Sequence, residues 1–150
     1  MTVEKIMTKK VKCVKINTAL VKVSKILSKK RLHAVPVVDD NKKVLGIITE
    51  NDFFTKDLSD IYLPTYINFL KKTKFKSKIS KKENENVKKL LEAMAGDIMV
   101  ANCLTIGPKT TIKKLIEIFK TKEYYSIPVV DKTKKLIGIV TQQDILKIIK

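Results

Sequence analysis

Two short stretches carry the most pointed chemistry in this chain: Thr49-Glu50-Asn51-Asp52 and Thr141-Gln142-Gln143-Asp144. Each sets a hydroxyl and a carboxylate three positions apart, between an apolar run and the start of a helical pattern. One use of that spacing is a capping box. There the hydroxyl and carboxylate satisfy unpaired amides of the first turn, and the negative charge suits the helix dipole. The other use is binding. A strand-to-helix junction presents N–H groups to an anion, and a carboxylate beside them can accept hydrogen bonds from both hydroxyls of a ribose. Catalysis has no comparable signature. His33 is the single histidine, and no Ser/His/Asp or Cys/His set offers a nucleophile with its base. Neither GxxxxGK[ST] nor GxGxxG occurs, and no Cys/His spacing fits zinc. The chain is therefore not expected to be an enzyme or to require a cofactor, and capping and binding both stay open for the repeated Thr-x-x-Asp.

The residues just ahead of two Pro-Val-Val runs are the next candidates. Ala34-Val35 and Ser126-Ile127 enter strands whose first N–H and C=O groups could read the edge of a planar base. His33 and Tyr125 stand just ahead of them, able to stack on a ring, to touch a phosphate, or simply to fill the seam between two units.

All these pieces occur twice at one displacement (144 − 52 = 92), which also relates Pro36 to Pro128, Gly46 to Gly138 and Met7 to Met99. A register held without a gap over a whole folding unit implies a duplicated unit rather than a copied motif. Two such units, each too small to stand alone, should share a core and meet across a pseudo-twofold axis. The fold class is α/β, with the order β-α-β-β-α in each repeat. In the first, Val11–Ile16 alternates as a strand, and Asn17 or Thr18 caps a helix that buries Leu20, Val23 and Leu27. Strands follow over Ala34–Val38 and Val44–Ile48, then a short helix over 50–57. In the second, the strands are Cys103–Ile106, Ser126–Val130 and Leu136–Val140. Its helices place Ile112, Leu115, Ile116 and Phe119 on one face and close the chain over Gln142–Ile149.

The division is therefore 1–57, a helical insert over 58–95, and 96–150. The insert is not repeated. Pro64 starts one expected helix, lysines crowd 71–82, Ser80–Glu83 forms a capping box, and Val87, Leu90, Leu91 and Met94 line a second helix stopped by Gly96.

The net charge of +17 invites an anionic partner. Yet Arg31 is the only arginine among 32 basic residues, and base readout and bidentate phosphate clamps favour the guanidinium. Nucleic acid bound through the 71–82 segment is the rival reading, and a dimerisation module with empty clefts is a third. Cys13 and Cys103 are too few for a disulfide framework or metal cluster and are expected as small core fillers. No apolar run is long enough to span a membrane, and the first residues lack a signal-peptide core. The expected location is the cytoplasm.

The doubled h-P-V-V-D followed by G-h-h-T-x-x-D, after an opening at Ile6-Met7, resembles the cystathionine-β-synthase (CBS) domain, over about residues 4–57 and 96–149. Resemblance to a tandem CBS pair, or Bateman module, implies two repeats joined into one disc with two clefts between them. It implies adenosyl ligands there (AMP, ADP, ATP or S-adenosylmethionine), held as regulatory ligands. It further implies a homodimer and an output on a protein partner in trans. Carried over by residue, one cleft would set Met7, Cys13, His33, Ala34 and Val35 around adenine, with Thr141 and Asp144 on phosphate and ribose. The other would pair Met99, Thr105, Tyr125, Ser126 and Ile127 with Thr49 and Asp52.

Overall fold

In a computed structural model, residues 1–55, 88 and 91–149 are described. The expected helix at Pro64 and the basic 71–82 segment lie outside them. The first half holds α1 (Leu20–Lys30), the hairpin β1 (Ala34–Val38) and β2 (Val44–Thr49), and α2 (Asp52–Thr55). The second half opens with α3 (Ala95–Ile98) and β3 (Val100–Ala101). It continues through α4 (Ile112–Thr121), the hairpin β4 (Ser126–Val130) and β5 (Leu136–Thr141), and α5 (Gln142–Leu146). The two hairpins match in detail. Ala34 faces Thr49 and Ser126 faces Thr141, and a bulge falls at Val37/Val38 and again at Val129/Val130.

The opening strands are shorter than the alternation suggests. Val11–Ile16 contributes one parallel bridge, Val14 to Val37, and Cys103–Ile106 contributes one, Ile106 to Val129. Val14 donates to the Pro36 carbonyl and accepts from Val38 N–H; Ile106 does the same with Pro128 and Val130. On the side toward the start of each segment the next rung would need an N–H from Pro36 or Pro128, which proline lacks, so the ladder stops there.

The leading segment of each repeat is exchanged onto the other half. Val3 N–H donates to Thr110 O, and Thr8 exchanges two backbone hydrogen bonds with Ile139 in β5. In mirror fashion Ala95 N–H donates to Thr18 O, and Val100–Ala101 pairs with Ile47 and Gly46 of β2. This exchange corrects the capping expectation. Neither Asn17 nor Thr18 caps α1: its N-cap is Ala19, without a side-chain bond, and Leu20 N–H is satisfied by Ala93 O, just ahead of the second repeat. The Thr18 hydroxyl instead accepts from Lys15 N–H. Gly96 does not stop a helix either. It lies within α3, donating its N–H to Ile16 O.

The exchange also replaces the single shared core with two. Leu20, Val23, Val35, Val37 and Ile48 pack with Ala95 and Ile98, while Leu115, Ile127, Val129 and Val140 pack with Val3. Burying Val3 or Ile98 fully contributes on the order of 1.5–3 kcal/mol to a half that the other repeat supplies it to. Neither half can complete its core alone. Of the expected α4 face, only Leu115 is fully buried; Ile112, Ile116 and Phe119 pack partly against it. Cys13 and Cys103 are half-buried rather than core residues. Burial nevertheless raises the Cys103 thiol above its ordinary range. Among the described residues no helix is long and apolar enough to cross a membrane.

The hairpin tips meet on the pseudo-twofold. Lys43 and Lys135 form an antiparallel bridge, Val44 N–H donates to Lys134 O and Leu136 N–H to Lys42 O. Each tip is tied by an aspartate: Asp39 accepts from Asn41 and Lys43 N–H, Asp131 from Thr133 and Lys135 N–H. Asp131 is held below the usual carboxylate value, chiefly by the Thr133 hydroxyl. A depressed folded-state value stabilises the fold above the unfolded value and is lost as pH falls through the folded one. Thr133→Val is therefore expected to raise the Asp131 carboxyl toward 3.8, read by carboxyl-carbon NMR titration. An unchanged titration would reject the hydroxyl as the cause.

Candidate functional site

Both Thr-x-x-Asp stretches form at strand-to-helix junctions, and both carboxylates are buried in them. Asp144 is 5% exposed and Asp52 6%. Asp144 Oδ2 accepts from Thr141 N–H at 2.9 Å and from its hydroxyl at 2.9 Å; Asp52 Oδ2 accepts from Thr49 N–H at 2.7 Å and its hydroxyl at 3.3 Å. The reciprocal capping box is complete at Thr141/Asp144, and its carboxylate half alone is made at Thr49/Asp52. Binding is not thereby used up, because a carboxylate offers about four acceptor positions. Asp144 Oδ1 meets only Lys147 Nζ, at 3.1 Å, among its described contacts. That lysine side chain is 72% exposed, so the pair is weak and readily exchanged for another donor.

Asp144 opens onto a cleft of about 370 Å³ whose walls come from both repeats. Thr141, Gln143 and Asp144 form one side. His33 and Ala34, at the mouth of β1, form the other, with Thr8, Val11 and Lys12 closing the end. This size falls within the range of ordinary small-molecule sites. The residues expected for this cleft divide in a physically simple way. His33, Ala34, Thr141 and Asp144 line it. Val35 does not: strand alternation sends it into the first core, where it is fully buried. Met7 does not line it either. Its side chain lies over Gly138, the one place on β5 without a Cβ to obstruct it. Cys13 is also outside the lining, and Thr8, Val11 and Lys12 take the places expected of Met7 and Cys13.

A second cavity, of about 440 Å³, straddles the pseudo-twofold. Equivalent residues pair across it: His33 with Tyr125, Ala34 with Ser126, Thr49 with Thr141, Glu50 with Gln142. Three residues expected for the other cleft, Tyr125, Ser126 and Thr49, thus open onto this axial cavity. Asp52 stays behind Thr49, accepting from its N–H, and does not line the cavity. Ile127 is buried in the second core, Met99 lies over Gly46 as Met7 does over Gly138, and Thr105 is half-buried outside the cavity lining. Tyr125 is 60% exposed and so available to a ring. His33 Nδ1 lies 3.5 Å from Glu50 Oε1, both largely exposed.

The arrangement offers a buried acid and hydroxyl from one repeat, main chain and His33 from the other, and a cationic surround. Sequence reasoning passed over the surround. Lys10, Lys30, Arg31 and Lys147 all line the Asp144 cleft, but in a chain of such lysine content no single one stands out. Among the described residues no group of His, Cys, Asp and Glu could hold a metal ion.

The family model described as the CBS domain matches residues 3–59 and 95–150. The chloroplastic CBS domain-containing protein CBSX1 of Arabidopsis thaliana is 26% identical over 97% of this chain, which spans 63% of its length. The structure of Arabidopsis thaliana CBSX2 in complex with AMP superposes with a TM-score of 0.71 at 24% identity, covering 97% of this chain and 93% of that one. The CBS domain pair of protein MJ0100, in complex with 5′-methylthioadenosine and S-adenosyl-L-methionine, superposes at 0.68 and 22% identity, covering 98% and 94%. These two likenesses establish a common fold.

Proposed function

The chain belongs to the CBS domain family as a tandem pair, and on that premise we propose that it is a non-catalytic regulatory module binding an adenosyl nucleotide between its repeats. One observation carries the reading: the Asp144 cleft is walled by both repeats, with the acid and hydroxyl from the second and His33 and Ala34 from the first. In it Asp144 accepts the ribose hydroxyls, the Ala34 backbone meets the adenine edge, and the Thr141 hydroxyl, turned from Asp144, meets the phosphate. Relatives of the same fold in complex with AMP, or with 5′-methylthioadenosine and S-adenosyl-L-methionine, support an adenosyl ligand without choosing one. The Asp52 side is the second, pseudo-equivalent site by the repeat, although its Tyr125, Ser126 and Thr49 open onto the axial cavity that Asp52 does not line.

Because the leading segments are exchanged, a ligand wedged between the repeats pulls on both cores at once. That coupling is a physical route from occupancy to altered packing, and so to a partner protein in trans in the cytoplasm. Calorimetric titration with AMP, ATP and S-adenosylmethionine is the test. Saturable binding of at least one is expected, and no heat with any of the three would refute the reading.

A homodimer is part of the same proposal. Phe54 on α2 and Leu146 on α5 are equivalent positions, and both are exposed, 61% and 65%. Exposed apolar residues at equivalent positions of the two repeats suit a second copy of the chain. Light scattering is expected to give twice the chain mass for the wild type and the single mass for Phe54→Ser/Leu146→Ser. A monomeric wild type would dispose of the dimer.

A further inference from the structure

We propose that the two sides are sorted by charge, the Asp144 cleft taking the di- or triphosphate form of its nucleotide and the Asp52 side not taking those forms. This deepens the nucleotide reading above and rests on it. The Asp144 cleft gathers Lys10, Lys12, Lys30, Arg31 and Lys147 around its one acid. At the equivalent positions, displaced by the repeat, stand Asn102, Leu104, Lys122, Glu123 and Thr55. Five cations become one cation and one acid. Duplication began with identical sides, so among the described residues the excess of charge sits at the Asp144 cleft's positions and not at their equivalents.

Arg31 sharpens the point. The only arginine of the chain ends α1 in the left-handed region, at φ 50 and ψ 44, with its N–H shared between Leu27 O and Ser28 O. That position of a helix terminus favours glycine, because a Cβ is strained there. Its counterpart, α4, ends at Lys122 in extended backbone and has no such residue. Arg31 is thus held in a costly conformation at the lip of the cleft, where its planar fork suits paired phosphate oxygens. Exposed lysines contribute little singly. Converging on a ligand with three or four negative charges, they raise its local concentration in a salt-dependent way. A neutral nucleoside gains nothing from them, and the sulfonium cation of S-adenosylmethionine is repelled.

The test compares adenosine with ATP by calorimetry on the wild type and Arg31→Gly. ATP is expected to bind once per chain, at least tenfold tighter than adenosine, with affinity falling as salt rises. Arg31→Gly should weaken ATP about tenfold, the value of one charged hydrogen bond, and change adenosine less than twofold. Its Tm should not drop, since glycine relaxes the left-handed backbone; a merely structural arginine would show the reverse pattern. Two equal ATP sites per chain, or ATP and adenosine affinities alike in both proteins, would overturn the sorting while leaving nucleotide binding standing. Absence of binding by either ligand would overturn both.

Discussion

Gly46→Ala is expected to destabilise the fold by about 3 kcal/mol, at the upper end of what overpacking costs, with a Tm lower by roughly 6–12 °C. A Cβ at Gly46 would sit 2.6 Å from Val100 O and 3.0 Å from Met99 Sδ. The oxygen is backbone, on the β3 segment that pairs with β2, so relief requires the strands to part. The pseudo-equivalent Gly138→Ala is the internal control. There the nearest atom, at 2.5 Å, is Met7 Sδ, the far end of a flexible side chain, with Thr8 O at 3.2 Å. Its cost is expected nearer 1 kcal/mol. Thermal melts of the two variants check the order. Equal melting temperatures for both would mean that the exchanged segments do not pack on the hairpins as described.

Asp144→Asn is expected to weaken nucleotide binding about 10- to 100-fold, the loss of charge on an acceptor for ribose hydroxyls. Asparagine retains a side-chain oxygen for Thr141 N–H, so the cap is largely kept and the melting temperature should move only a few degrees. Alanine would be a poorer probe, since it would also remove the acceptor that Thr141 N–H and its hydroxyl meet. Lost Lys147 pairing adds little, that lysine being mostly exposed. Titration calorimetry with AMP or ATP decides it. Unaltered affinity in Asp144→Asn would remove the carboxylate from the ribose.

How much of this was legible in the sequence depended on range. Thr49/Asp52 and Thr141/Asp144 were readable because a capping box is local: partners three residues apart meet whenever the helix forms. The hairpins were readable too, since Pro-Val-Val-Asp and Gly-h-h-Thr fix strand and turn from neighbours alone. The exchange of leading segments was not. Val3 reaches Thr110, and Ala95 reaches Thr18, and the apolar pattern of either segment would suit either half. For that reason Met7 and Met99, visible as a repeated pair, were expected against a ligand but lie over Gly138 and Gly46. Ala34 and Val35 show a subtler limit. Both were candidates, yet a strand turns successive side chains to opposite faces, and only one can open onto the cleft. The cations around Asp144 were hidden by abundance: charge becomes informative only when position separates Arg31 from the rest.

The claim on which the account rests is that one ligand is gripped by both repeats at the Asp144 cleft. Amide chemical-shift mapping with a saturating adenine nucleotide tests it most directly. The account predicts the largest shifts at His33 and Ala34 together with Thr141 and Asp144, in one saturating process. Shifts confined to a single repeat, or absent from both of these junctions, would contradict it.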